Sequence, residues 1–276
     1  MTDLFEAMRL SAEDSETAHL FFSEGGKMLL PLGKSRNDMT GQEMLQRLLS
    51  PSDDDDGTLA NDFLGELGKT VPLESLRLLL TSANPRTRAT GAFLATFQNR
   101  NISSMVGELA ALLADDNPRT RFDAVESILR CSTRAHGDYL AQALFALADE
   151  HEGVRMGAIQ FVRFAKDWQL KFARQRAASL RPQTPFSAIA DITGQLRDDA
   201  SGMIRAMLDH AEPVVRRYAL GLAGRARLVV VDAYVELARA SDDPEISKLA
   251  TEHKLISHHA VWQSSLPQPP GSSLIK

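Results

Sequence analysis

The chain has 276 residues, 43% of them apolar and 24% charged, and 36 acidic against 31 basic side chains give it a net charge of −5. That length suits one or two globular domains or a single solenoid, and the negative balance argues against a surface built throughout for nucleic acid, though not against a local basic patch. The single cysteine, Cys131, excludes an intrachain disulfide and fits a reducing compartment; with no basic-then-apolar leader and no apolar run near the ~18 residues of a membrane span, the chain reads as soluble and cytoplasmic, without a membrane partner.

Residues 1–39 carry two apolar groups, Leu4, Phe5 and Met8, then Leu20, Phe21 and Phe22, interrupted by Gly25-Gly26, Pro31 and Gly33. They read either as a cap over the first unit of an array or as an arm that docks a partner. Helices are expected near 41–49 and 58–67. Between them lies Asp53-Asp54-Asp55-Asp56. A calcium loop needs ligands at alternate positions, a sixth-position Gly and a terminal Glu; adjacent acids without that Glu fit a solvated corner beside a helix N-terminus.

Three regular units follow, near 72–98, 102–131 and 136–166. In the middle one, Ile102, Met105, Val106, Leu109, Leu112 and Leu113 make one apolar stripe, and Phe122, Val125, Ile128 and Leu129 a second, both at helical spacing. Asn117-Pro118 between them reads as a helix start, with Asn capping and Pro in the first helical position. Cys131 reads as a small buried hydrophobe. A fifth unit, near 168–197, is degenerate and broken by Pro182 and Pro185. Units six and seven run near 199–226 and 228–259. Leu228 to Val231 resembles a strand, but Leu228, Val231, Tyr234, Val235 and Ala238 keep helical spacing. His253, His258 and His259 lack the spacing of a metal site. After Trp262, the run 263–276 is Pro- and Ser-rich and reads as a disordered tail.

One phrase recurs along this order. Asn84-Pro85 leads to Arg88 and Gly91, Asn117-Pro118 to Arg121 and Ala124, Glu152 to Arg155 and Ala158, Glu212-Pro213 to Arg216 and Ala219, and Asp243-Pro244 to Ser247 and Ala250. The steps from Arg88 are 33, 34, 61 and 31 residues, the long one spanning a degenerate copy with Pro185 in the Arg slot; Gly57 takes that slot upstream. A fixed period in this range is the mark of a solenoid. Neither helix of a unit hides its stripe alone, and stacking completes the burial. The small residue three places after the Arg predicts a close helix crossing.

These Pro-x-(Val/Thr)-Arg-x-x-Ala phrases, at Pro85, Pro118 and Pro213 and with Glu152 replacing Pro ahead of Arg155, resemble the HEAT-like repeat family in its short bacterial form, the type also seen in phycobilisome lyases. The resemblance covers about residues 40–260. It implies an all-α, right-handed α-solenoid of about seven two-helix repeats over 40–262, armadillo-like, with a scaffold's use of its concave face. His151-Glu152 resembles one His-Glu pair of a di-iron hydroxylase built on such repeats, but that enzyme needs several pairs in successive units, so no metal or other cofactor is expected.

No Gly-x-Ser-x-Gly, phosphate loop, His-Glu-x-x-His or Cys pair occurs. The reading is therefore a non-catalytic scaffold or adaptor for a partner protein of unknown identity, contacting it through the concave face and the irregular fifth unit. The alternative is a nucleic-acid binder, after the DNA-repair glycosylases built from HEAT-like helices. It draws on the stretch 161–181, where Arg163, Lys166, Lys171, Arg174, Arg176 and Arg181 face one acid, Asp167, amid Phe161, Phe164, Trp168 and Phe172. A third possibility implied by the resemblance is a lyase or chaperone for a cofactor-bearing partner, which no residue selects. The row Arg88, Arg121, Arg155 and Arg216 reads either as an anion-binding stripe or as ties to acids and free carbonyls at the corners, such as Asp115, Asp116 or Asp149. Arg86 and Arg119 sit two residues earlier and are the better candidates for outward contact. The candidate binding residues are thus Arg86, Arg119, Arg163, Lys166, Trp168, Lys171, Arg174, Arg176 and Arg181.

Overall fold

The computed structural model describes residues 39–51, 58–225 and 231–252, and their regular elements are fourteen α-helices with short 3-10 turns. Among the described residues the one β contact is an isolated bridge between Leu67 and Val71, and no helix is long and apolar enough to cross a membrane. The expectations for residues 1–38, Asp53–Asp56, Gly57, Leu228–Val230, the three late histidines and the tail lie outside the described residues. The chain divides into two compact units between Cys131 and Ser132.

The first unit holds α1 (Gly41–Leu49), α2 (Thr58–Glu66), α3 (Leu76–Leu80), α4 (Pro85–Ala95), α5 (Val106–Ala111) and α6 (Pro118–Cys131). They pack as three hairpins, α1 on α2, α3 on α4 and α5 on α6, and successive hairpins meet through α2, α4 and α6. Helix starts follow the local chemistry. Thr40 caps α1 in a reciprocal box with Glu43. The Oδ1 atoms of Asn84 and Asn117 accept the N–H groups of Arg86 and Arg119, both at 2.9 Å, ahead of the prolines that open α4 and α6.

The first apolar stripe of the 102–131 segment is buried as expected at Ile102, Met105, Val106, Leu109 and Leu112, while Leu113 is only half-buried. The second differs. Val125 and Ile128 are fully buried, but Phe122 and Leu129 are only half-buried. Ala124, Ser127 and Cys131 fill the buried face of α6 instead; small residues there let the helices approach. Cys131 is fully buried, and burial pushes its thiol up to about 12, as befits a packing residue.

The close crossing expected after the Arg slot is present at Gly91. A Cβ there would lie 2.9 Å from the Leu79 side chain and 2.9 Å from the Leu80 backbone nitrogen. Gly91→Ala is therefore expected to lower stability by about 1–3 kcal/mol through forced separation of α3 and α4, read as a lower urea midpoint.

The second unit holds α7 (Gly137–Phe145), α8 (Glu152–Phe164), α9 (Asp167–Leu180), α10 (Pro185–Gln195), α11 (Ala200–Leu208), α12 (Pro213–Ala223), α13 (Val231–Arg239) and α14 (Pro244–Glu252). Hairpins again form in order, but the stacking skips one. α8 packs on α12, while α9 lies along α7 and α10 against α12. The α8–α12 approach depends on Gly221, whose Cβ would meet the Val162 side chain at 2.6 Å and the Ile159 carbonyl oxygen at 2.9 Å. The degenerate α9–α10 hairpin turns through Gln183, a non-glycine residue at φ 59°. Val231–Arg239 is helical, with Val235 and Ala238 fully buried.

Candidate binding surface

The recurring Arg is a corner clamp. Nη1 of Arg88 donates to the carbonyls of Ser82 (3.2 Å) and Ala83 (3.0 Å), and that of Arg121 to Asp115 (2.9 Å) and Asp116 (3.2 Å). Arg155 does the same with Asp149 (3.0 Å) and Glu150 (2.7 Å), and Arg216 with His210 (2.6 Å) and Ala211 (2.7 Å). In each case the acceptors lie six and five residues before the Arg, in the turn just past the first helix, where carbonyls have no helical N–H to accept. The corner itself repeats too. Side chains of Ser82, Asp115, Asp149, His210 and Ser241 each accept the N–H of the residue two further on.

In three of the four, Arg88, Arg155 and Arg216, the rest of the guanidinium reaches an acid beyond its own corner. Arg88 Nε meets Asp115 Oδ2 at 2.6 Å and Arg216 Nη2 meets Asp243 Oδ2 at 2.5 Å, each 27 residues on. Partial burial pushes the Asp243 carboxyl up, but Arg216 and the N–H groups of Ile246 and Glu245 together hold it below the usual range. Arg155 has Pro182 at the 27-residue position and pairs instead with Glu245 Oε1 at 2.6 Å. Glu245 Oε2 takes Arg217 at 2.6 Å, and Arg217 also donates to the Leu147 carbonyl at 2.9 Å. These guanidiniums are committed to the fold, and an anion stripe is not what the row builds.

The candidate binding residues divide between the units. In the first, Arg86 is exposed near the start of α4. Arg119 is half-exposed, but its Nε meets Asp123 Oδ2 at 3.1 Å and its guanidinium lies 5.4 Å from the Phe122 ring centre. Asp123 is buried, and its Oδ1 has no hydrogen-bond partner among the described residues; neither have the hydroxyls of Thr120 and Ser127 on the same face of α6. Burial pushes the Asp123 carboxyl up to about 6, Arg119 opposing and Glu126 adding to the rise.

In the second unit, three of the six cations of the basic stretch are engaged by residues outside it. Arg174 Nη1 donates to Tyr218 Oη at 3.2 Å. Arg176 pairs with Asp138 of α7, holding that carboxyl below its usual range. The Arg181 guanidinium sits 3.8 Å from the Phe145 ring centre, and Phe145 meets Phe186 edge-on at 4.9 Å. Arg163 lies 5.0 Å from the Phe164 ring centre, and burial lowers its pKa. Lys166 and Lys171 are exposed, and their ammonium groups make no ion pair among the described residues. Trp168 is half-buried and meets Phe172 edge-on at 6.2 Å. Phe161 is core, whereas Phe164 and Leu180 keep 48% and 46% of their surface.

The counterparts Asp138, Tyr218 and Phe145 lie off the basic stretch, and no spacing within it reveals them. Arg225 likewise caps α8, donating to the carbonyls of Val162 (3.1 Å) and Ala165 and to Asp167 Oδ1 (2.5 Å).

Other chemistry-bearing groups singled out by the sequence or lining a groove have partners. Of the acids lining an open groove beside α3 and α5, Glu108 is held by Arg77 at 2.9 Å and Asp115 by Arg88. His151 Nδ1 accepts the Gly153 N–H, and Glu152 pairs with Lys248 at 3.1 Å. No group of three or more His, Cys, Asp or Glu side chains among the described residues is placed to hold a metal. No protein-family model, curated protein or solved structure matches the chain.

Proposed function

We propose that the protein is a non-catalytic HEAT-like scaffold or adaptor, a right-handed α-solenoid of about seven short repeats. It binds a partner protein through its concave face and its irregular fifth repeat, α9–α10. The observation that carries this reading is a contrast between corners. At four corners an Arg clamps two carbonyls. The fifth has Pro185 in that slot, and that hairpin with the corner leading into it leaves Phe164, Lys166, Lys171 and Leu180 outward. Irregular segments on a regular frame are where recognition concentrates.

Affinity capture with the intact chain, from extract with and without nuclease treatment, tests the reading. A defined protein partner is expected in both, lost when surface residues of α9 are changed. Recovery that vanishes with nuclease would favour nucleic acid, whose signature is duplex binding that weakens steeply with salt. Arg174 and Arg176 are poor positions for that comparison, since reversing them strips Tyr218 and Asp138 of their partners; Lys166 and Lys171 carry no such burden.

A further inference from the structure

We propose that the corner between α8 and α9 receives an acidic segment of the partner protein, one with an aromatic or aliphatic side chain among its carboxylates. This rests on the partner-protein reading and narrows it to five residues, Arg163, Phe164, Lys166, Trp168 and Lys171. Phe164, the last residue of α8, is 48% exposed on a backbone that is held in place. Arg163 lies against its ring, and Arg225 ties down the carbonyls of Val162 and Ala165 on either side. An apolar anchor that is already ordered loses little entropy on binding.

The charge available at this corner is positive, on a chain whose net charge is −5. Asp167, the one acid between 161 and 181, is paired with Arg225. Lys166 and Lys171 flank Trp168 in sequence and present exposed ammonium groups. Trp168 adds partly exposed apolar surface, braced edge-on by Phe172. Carboxylates complement the two lysines, and an apolar side chain covers Phe164 and Trp168. A duplex fits less well, because its affinity comes from several phosphate contacts made together. Arg174, Arg176 and Arg181 are held by Tyr218, Asp138 and Phe145.

Fluorescence anisotropy with labelled poly(Glu,Tyr), a random copolymer of glutamate and tyrosine, tests this on the intact chain, with poly-Glu and a short DNA duplex as comparison probes. Poly(Glu,Tyr) is expected to bind more tightly than poly-Glu and far more tightly than duplex. Lys166→Glu with Lys171→Glu should weaken it about tenfold or more, and the paired change to Gln by less. Phe164→Ser should bring poly(Glu,Tyr) down to the level of poly-Glu. All three positions are exposed, so circular dichroism should be unchanged. The proposal is overturned if poly(Glu,Tyr) does not bind, if reversing the lysines leaves its binding intact, or if duplex binds as tightly and is lost in the same variant. A captured protein partner indifferent to the lysine reversal would leave the scaffold reading standing and sink this corner alone.

Discussion

Arg88→Ala is expected to destabilise the first unit by about 3 kcal/mol, the loss that follows when one partner of a buried ion pair is removed. Its counterpart, the Asp115 side chain, is 2% exposed, and without Arg88 its Oδ2 is left as a buried anion. The Ser82 and Ala83 carbonyls lose their donor in the same step. Urea denaturation followed by circular dichroism should show the effect, with Arg88→Lys in between. An ammonium is a point donor and does not reproduce the guanidinium fork. Lys171→Ala, at an exposed and unpaired position, should stay within about 0.5 kcal/mol of the parent. A parent-like midpoint for Arg88→Ala would mean that the corners are held by packing alone.

Asp123→Asn is expected to act in the opposite direction, and only above acid pH. The folded carboxyl titrates at about 6 against the ordinary 3.8, so the folded chain holds this proton more tightly than the unfolded one. Stability therefore falls as pH rises from about 4 to about 6, and the carboxylate lowers it by ~3 kcal/mol above that window. This figure is already net of Arg119, whose charge and hydrogen bond oppose the rise without cancelling the cost of burial. Asparagine keeps the shape and drops the charge, so the variant should be more stable by up to ~3 kcal/mol at pH 8, with the advantage gone near pH 4. Paired urea titrations at the two pH values read this directly. A parent more stable than the variant at pH 8 would show that the bond to Arg119 outweighs the cost of burial.

Both predictions start from positions the sequence shows in different degrees. The Arg88 slot, its corner and the tight crossing at Gly91 are legible because each is local and recurs: a helix start, a turn and a small residue at fixed offsets. Asp115 was visible as a neighbouring acid for the same reason. Asp123 was not, because burial of a carboxylate depends on the helix face it occupies: the apolar stripe on α6 pointed to Phe122 and Leu129, while Ala124 and Cys131 were legible as small buried residues and Ser127 was not. The basic stretch shows the limit most plainly. Counting charges within 161–181 gives a strong positive segment, but Asp138, Phe145 and Tyr218 arrive from other helices and occupy three of its six cations. The Arg155 partner escaped for a related reason. With Pro182 at the repeat position, its acid is found at Glu245, out of register with every period in the chain.

Ninety residues separate Arg155 from Glu245, and that distance bears on how the second unit comes into being. Arg88 and Arg216 find their acids 27 positions away, within reach of a chain that has formed only the next hairpin. The longer closure has to wait for α9 to α13, since loop entropy opposes it until those helices are in place. On the ribosome, the first unit can mature hairpin by hairpin as it emerges, whereas Arg155 of α8 has its two corner carbonyls but no carboxylate until α14 has been synthesised.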